Sequence, residues 1–239
     1  MIPKTIHHCW FGRGEMPQLA LDCIASWHEK MPDWEYKLWN EDNFDVKSTP
    51  YTKEAYECGK YAFVSDYVRL WALEREGGLY MDVDFEIYKP FDELLHYHAF
   101  AGFEGSKHLP VMMGVCASEP HGQWVKEMLA AYSKLHFIRP DGMPDLTTNV
   151  QRLTAIMTAN GLRQDGSEQD YKDLHVFPVD YFSPRHTTGE YIRTENTYCE
   201  HRGLASWSKG KGNWKSFVRS IIGQQNMTRL IKIKRKLIG

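Results

Sequence analysis

The sequence has no apolar run of the roughly 20 residues needed to cross a bilayer. It also has no Cys-x-x-C pair. Its five cysteines, Cys9, Cys23, Cys58, Cys116 and Cys199, are scattered and odd in number. This spacing argues against a disulfide frame or a zinc knuckle and for free thiols in a reducing compartment. The opening residues lack the basic-then-apolar pattern of a signal peptide, so a cytoplasmic protein is expected. Acid is missing too: from His201 onward there is no Asp or Glu, while ten of the 29 Lys and Arg fall there. The first 200 residues therefore carry 19 basic against 31 acidic side chains, a net of −12 inside an overall −2. Such a chain presents two surfaces with different partners.

What is present suits one globular domain. The 239 residues are 42% hydrophobic and 25% charged, and we assign residues 1–208 to the domain and 209–239 to a basic tail. In the tail Leu230, Ile231, Ile233, Leu237 and Ile238 interleave with Lys and Arg, the pattern of a short cationic amphipathic helix. That helix suits an anionic membrane, each nearby basic residue contributing about 1 kcal/mol, and would place the protein peripherally on the inner face of the cell membrane. A solvated terminus is the alternative. No aromatic or groove-reading motif accompanies the charge, so no nucleic-acid partner is expected.

The most informative stretch is Lys60 to Ile87. It reads as a helix, a glycine stop at Gly77-Gly78, and a buried strand. In that strand Tyr80, Asp82, Asp84 and Glu86 alternate with Met81, Val83, Phe85 and Ile87, which predicts an acidic face and an apolar face. Alternate residues of a strand lie about 6.5 Å apart, so the carboxylates repel unless a cation joins them. Hard oxygen ligands suit Mn²⁺ or Mg²⁺. A solvated acidic edge would show the same pattern. On the helix, Asp66 and Arg69 fall on one side at i and i+3, either a surface ion pair or a grip for sugar hydroxyls or phosphate.

Around this stretch the order is strand, helix, strand: Thr5–Phe11, residues 18–30, and Trp34–Trp39. That order argues for an α/β domain with a mixed, mostly parallel sheet, whose ligand crevice lies beyond the strand C-termini. Trp10 sits at such an end, as a core residue or as a stacking platform for a base. His7, His8 and Cys9 look metal-like, but neighbours on a strand face opposite ways, so packing and hydrogen bonding are expected of them. Further strands are expected at Ala99–Glu104, Val111–Ala117, His175–Val179 and Asn196–His201. A helix is expected over Gln123–Leu135, and another capped by Thr148 and ending at Asn160.

Taken together, Ser65-Asp66, Arg69, Gly77-Gly78, Tyr80, Asp82 and Asp84 resemble the sugar-binding region of family 32 glycosyltransferases. That group includes yeast α-1,6-mannosyltransferases, bacterial capsular-polysaccharide transferases and, more distantly, the clostridial glucosylating toxins. The opening IPKTIHHCWFG resembles the same family's first strand; the likeness is strong over residues 2–90 and thin afterwards until HRGLASW at 201–207. It implies a GT-A-like fold and a retaining, metal-dependent transfer of a hexosyl group from UDP-hexose or GDP-mannose to an oligosaccharide or lipid-linked glycan. Capsular or other surface polysaccharide synthesis is the implied setting. It further implies a nucleotide pocket at Trp10, donor contacts at Asp66, Arg69, Tyr80 and Asn149, and metal held by Asp84 and His201. Asp82 would place ribose or a metal-bound water, or act as a ligand itself. Ser206 and Trp207 would sit in a closing loop. For Asn149 and its neighbours Thr147 and Thr148, helix capping explains the residues equally well. The residues alone leave two other classes open. A metal-dependent phosphohydrolase can use Asp-x-Asp, though no downstream acidic pair follows here. A non-catalytic carbohydrate-binding module could use the tryptophans.

Overall fold

The structure, a computed structural model, describes residues 1–105, 109–184, 191 and 193–203. Ser206, Trp207 and the basic tail lie outside the described residues. In chain order the elements are β1 (Thr5–Cys9), α1 (Gln18–Lys30), β2 (Glu35–Trp39), α2 (Pro50–Glu57), α3 (Tyr61–Glu76), β3 (Gly78–Met81) and β4 (Phe85–Ile87). There follow β5 (Ala99–Gly102), β6 (Val115–Ser118), α4 (Gln123–Ala130), α5 (Asn149–Ala159), β7 (Gln169–Tyr171), β8 (Leu174–Phe177), α6 (Val179–Phe182) and β9 (Cys199–His201). None of the described helices is long and apolar enough to cross a membrane.

Seven strands form one sheet in the order β2-β1-β3-β6-β5-β8-β7, and β4 pairs with β9 in a separate ribbon. Five of the seven run the same way, with β6 and β7 reversed, so the expected mixed, mostly parallel α/β sheet is what the chain builds. Period-two side chains then feed two cores. Tyr80 and Cys116 face α2, α3, α4 and α5, with Tyr51, Val68, Leu73 and Trp124 buried there. Leu79, Met81 and Val115 face the other way, against Trp27 of α1, Phe85, Phe91 and Phe182. Burying a side chain such as Leu or Phe contributes about 1.5–3 kcal/mol, so both faces of the sheet are sealed by the same force.

The glycine stop between α3 and β3 is enforced sterically. Gly78 has φ +98°, and a Cβ there would lie 2.7 Å from Thr5 O. His7 braces the same turn. Trp39 Nε1, which can only donate, reaches His7 Nδ1 at 3.1 Å, so His7 Nε2–H donates to Gly77 O at 2.8 Å. This fixes one neutral tautomer, and burial lowers the ring's pKa. His7, His8 and Cys9 are all buried, as packing residues should be.

Three local expectations need correction. The helix at 123 ends at Ala130 rather than Leu135, and the strand predicted from Val111 starts at Val115, Val111 itself making only an isolated bridge to Phe103. The third matters most: the predicted continuous strand through Asp82 and Asp84 breaks between Met81 and Phe85. Phe85 N–H closes a turn onto Asp82 O at 3.2 Å, and β4 leaves the main sheet to pair with β9. The two aspartates therefore sit on a turn rather than on one strand face.

Candidate active site

Strands β1, β3 and β5 point in one direction, and the chain leaving their C-terminal ends supplies Trp10, Asp82 and Glu104. These residues line a cleft of about 650 Å³, joined by Asp66 and Arg69 from α3, Asp84 from the turn, Asn149 from the start of α5 and His201 from β9. It is the crevice expected of an α/β sheet, beyond the carboxyl ends of its parallel strands.

Its floor is a charged network held by Arg69. Nη2 of Arg69 lies 3.0 Å from Asp66 Oδ1 and 3.2 Å from Asp82 Oδ1, while Nη1 donates to Met113 O at 2.6 Å. The guanidinium also stacks over the Tyr80 ring, 4.6 Å from its centroid. Asp66 is 8% exposed and Arg69 5%, so the i,i+3 pair is a buried one and not a surface bridge. Burial pushes the Asp66 carboxyl up to about 6, against the pull of Arg69. Asp82 is raised as well, first by burial, with Arg69 again opposing. One cation shared by two carboxylates leaves a local excess of negative charge.

One sequence expectation changes here. Tyr80, expected to contact the cofactor, is 1% exposed, and its hydroxyl donates to Asp82 Oδ1 at 2.7 Å. Tyr80 therefore positions Asp82 from below. Arg69, expected to bind donor sugar or phosphate, lines the cleft and also clamps Asp66 and Asp82. Asp82 is further confined by Gly114, whose carbonyl accepts from Asp82 N–H at 2.8 Å; a Cβ on Gly114 would lie 3.0 Å from Asp82 Oδ2.

On the opposite wall β9 carries His201 to the turn. His201 pairs with Phe85 across the ribbon, their rings stacked at 4.8 Å, and Arg202 N–H donates to Asp84 O at 2.8 Å. His201 Nε2 then stands 3.0 Å from Asp84 Oδ2. Burial opposes protonation of His201, but Asp84, Asp82 and Glu104 outweigh it and raise its pKa. Trp27 of α1 supports this wall by donating from Nε1 to Phe85 O at 2.7 Å.

A divalent cation suits this pair. Two donors 3.0 Å apart match the edge of an octahedron with bonds of about 2.1 Å. The expected three-residue metal set is a different matter. Among the described residues no group of three His, Cys, Asp or Glu side chains is placed to hold a metal. Asp82 is drawn towards Arg69 and Tyr80, so Asp84 and His201 are the pair that remains.

Trp10 lies at the mouth, partly exposed, with Nε1 donating to Gly14 O at 2.6 Å. The loop that follows is pinned by Glu41, which accepts from Gly12 N–H at 2.6 Å and from the Tyr56 hydroxyl at 2.9 Å. Gly12 has φ +98°, and Tyr61 occupies the space a Cβ would need. Asn149 is 3% exposed; its N–H donates to Asp66 Oδ2 at 3.3 Å, and its side-chain Nδ2 has no partner among the described residues. The Thr148 capping box forms as expected. Glu104, half-buried after β5, was missed by sequence reading. Its signal was positional: it leaves the same end of the sheet as Trp10 and Asp82. Burial raises its carboxyl pKa, with His201 opposing.

The fold and this site define an α/β domain with a carboxylate-lined crevice that opens beside a partly exposed aromatic. Residues 17–101 match the family described as a glycosyltransferase sugar-binding region containing a DXD motif, and Asp82-Val83-Asp84 is that motif here. Inositol phosphoceramide mannosyltransferase 3 of Schizosaccharomyces pombe is 33% identical over 103 residues, which is 41% of this chain and 29% of that protein. Subversion of eukaryotic traffic protein A of Legionella pneumophila is 33% identical over 129 residues, 39% of this chain and 20% of that one. Mannosyl phosphorylinositol ceramide synthase SUR1 of Saccharomyces cerevisiae is 28% identical over 145 residues, 58% of this chain and 37% of that protein. The chain thus spans well under half the length of these relatives. Among solved structures, the PaToxG glycosyltransferase has a TM-score of 0.47 at 18% identity, covering 54% of this chain and 59% of its own. The galactosyltransferase LgtC has 0.43 at 12%, covering 82% and 86%.

Proposed function

We propose that the protein is a metal-dependent hexosyltransferase of the GT-A kind, taking its sugar from a nucleotide diphosphate donor. The observation that carries this reading is the Asp84–His201 pair at 3.0 Å, beside an Asp82 fixed by Arg69 and Tyr80, at the sheet end where Trp10 opens to solvent. Similarity to mannosyltransferases favours a mannosyl donor, hence GDP-mannose ahead of UDP-hexose. A glycan or lipid-linked acceptor, retention of configuration and a surface-polysaccharide role belong to the same proposal.

In this reading Trp10 offers its face to the base. Asp84 and His201 would hold Mn²⁺ or Mg²⁺, with His201 neutral as a ligand. When bound, the cation supplies charge for the departing diphosphate. Asp82 would orient ribose or a water of the metal. Asp66, with Asn149 beside it, fixes sugar hydroxyls. Arg69 keeps Asp66 and Asp82 in place. Pre-set orientation and electrostatics then supply most of the rate.

The test is nucleoside diphosphate release with Mn²⁺ across UDP- and GDP-sugars, with EDTA as control. The expected result is metal-dependent release from one donor. No release from any donor, together with no metal-dependent binding of UDP or GDP, would replace the proposal with a non-catalytic carbohydrate-binding role.

A further inference from the structure

Glu104 lines the cleft from the side of β5, half-buried. Its backbone is fixed: Glu104 N–H donates to Pro110 O at 2.9 Å, and Phe103 and Val111 bridge just before it. Among the described residues its carboxylate makes no hydrogen bond or ion pair. The other three carboxylates of the cleft have partners: Asp66 and Asp82 share Arg69, and Asp84 faces His201. Desolvating part of a carboxylate without a partner is unfavourable unless a ligand completes it.

Sheet order tells which groups Glu104 faces. β6 runs between β5 and β3, so the stems of Glu104 and Asp82 stand two strand spacings apart, about 10 Å. On the intervening chain the residue beside Asp82 is Gly114, whose carbonyl accepts from Asp82 N–H at 2.8 Å. Gly114 also lines the cleft, and it leaves the way across open. A Cβ there would lie 3.0 Å from Asp82 Oδ2 and 2.7 Å from the Phe85 ring on which His201 stacks. Glu104 is felt on the far side: burial opposes protonation of His201, and Asp84, Asp82 and Glu104 together outweigh it.

That separation decides the kind of contact. Among the described residues no three His, Cys, Asp or Glu side chains are placed to hold one metal, so Glu104 is not a third ligand beside Asp84 and His201. Phosphate is a poor partner for it, since like charges repel. A small divalent cation, by contrast, keeps several of its waters, and these are strong donors towards a group that only accepts. We propose that Glu104 holds the cation through water: its carboxylate accepts, across Gly114, a hydrogen bond from a water of the ion that Asp84 and His201 would ligate. The inference rests on the proposed function for that ion, and it gives the one lone carboxylate of the cleft its partner.

The experiment titrates Mn²⁺ into wild type, E104Q and E104D, each with and without UDP or GDP, and reads the free ion by electron paramagnetic resonance. Waters on the bound Mn²⁺ are counted by pulsed resonance in isotopically labelled water. The expected result is a loss of Mn²⁺ affinity by E104Q of about 10–100-fold, with the number of waters unchanged. E104D, carrying the same charge on a shorter arm, should fall between E104Q and wild type. An E104Q affinity within threefold of wild type would overturn the inference. So would one added water in E104Q, the mark of a direct ligand. An E104D affinity equal to wild type would overturn it as well, because charge acting at a distance would then be enough. A wild type that binds no Mn²⁺, with or without nucleotide, refutes the metal reading itself, which is a separable result.

Discussion

His201 Nε2 stands 3.0 Å from Asp84 Oδ2, although the two residues are 117 positions apart in the sequence. The contact is made by register: Phe85 opposite His201 places the histidine over the turn that carries Asp84. Asp84→Asn and His201→Ala should each weaken Mn²⁺ binding by more than about 100-fold, beyond the 10–100-fold typical of outer-shell losses. Titration calorimetry with Mn²⁺ reads this directly. Unchanged affinity in both variants would remove the pair from the metal site.

Arg69→Met should unfold the site more than it weakens any single ligand contact. It strands Asp66 and Asp82 without their shared cation, and breaking a buried pair costs about 3–5 kcal/mol. Urea unfolding gives the number. Arg69→Lys should recover only part of it, because a point charge cannot reproduce the fork that spans Asp66, Asp82 and Met113 O.

Gly78→Ala tests the helix-to-strand turn. A left-handed φ alone costs about 1–3 kcal/mol, and here a Cβ would also meet Thr5 O and His7. A fall in melting temperature of about 2–4 °C per kcal/mol is expected for a chain of this size.

Acid should weaken the fold through His8. Its ring is 7% exposed and packed edge-on to Trp27, and burial lowers its pKa to about 4. Below the unfolded pKa of about 6.5 the unfolded chain takes up a proton that the folded chain refuses. Stability is therefore fully present above 6.5 and falls as pH drops towards 4, by about 3 kcal/mol in all. His8→Leu should flatten this slope in denaturant melts at pH 7 and 4.5. An unchanged slope would assign the acid sensitivity elsewhere.

Local chemistry made much of this legible. The α3 helix, its glycine stop and the i,i+3 pair of Asp66 and Arg69 follow from spacing alone. How deeply that pair is buried does not, because depth depends on Tyr80, which arrives on β3, and on Met113, which arrives on the chain just before β6. The break between Asp82 and Asp84 was hidden for the same reason. Period-two patterning runs unbroken through Tyr80–Ile87, but the chain leaves the sheet where Gly114 lets Asp82 approach, and Gly114 is distant in sequence. Glu104 carried no motif; only strand order puts it beside Trp10. His201 was readable through family resemblance, and its partner Phe85 not at all.

The pairing of β9 with β4 also fixes a schedule. On a ribosome adding about 5–20 residues per second, on the order of ten seconds pass between the emergence of Phe85 and that of His201. Throughout that interval β4 is an open edge and Asp84 lacks its imidazole. A nascent chain can assemble the Arg69 clamp early, but the Asp84–His201 pair exists only once residue 201 has left the exit tunnel.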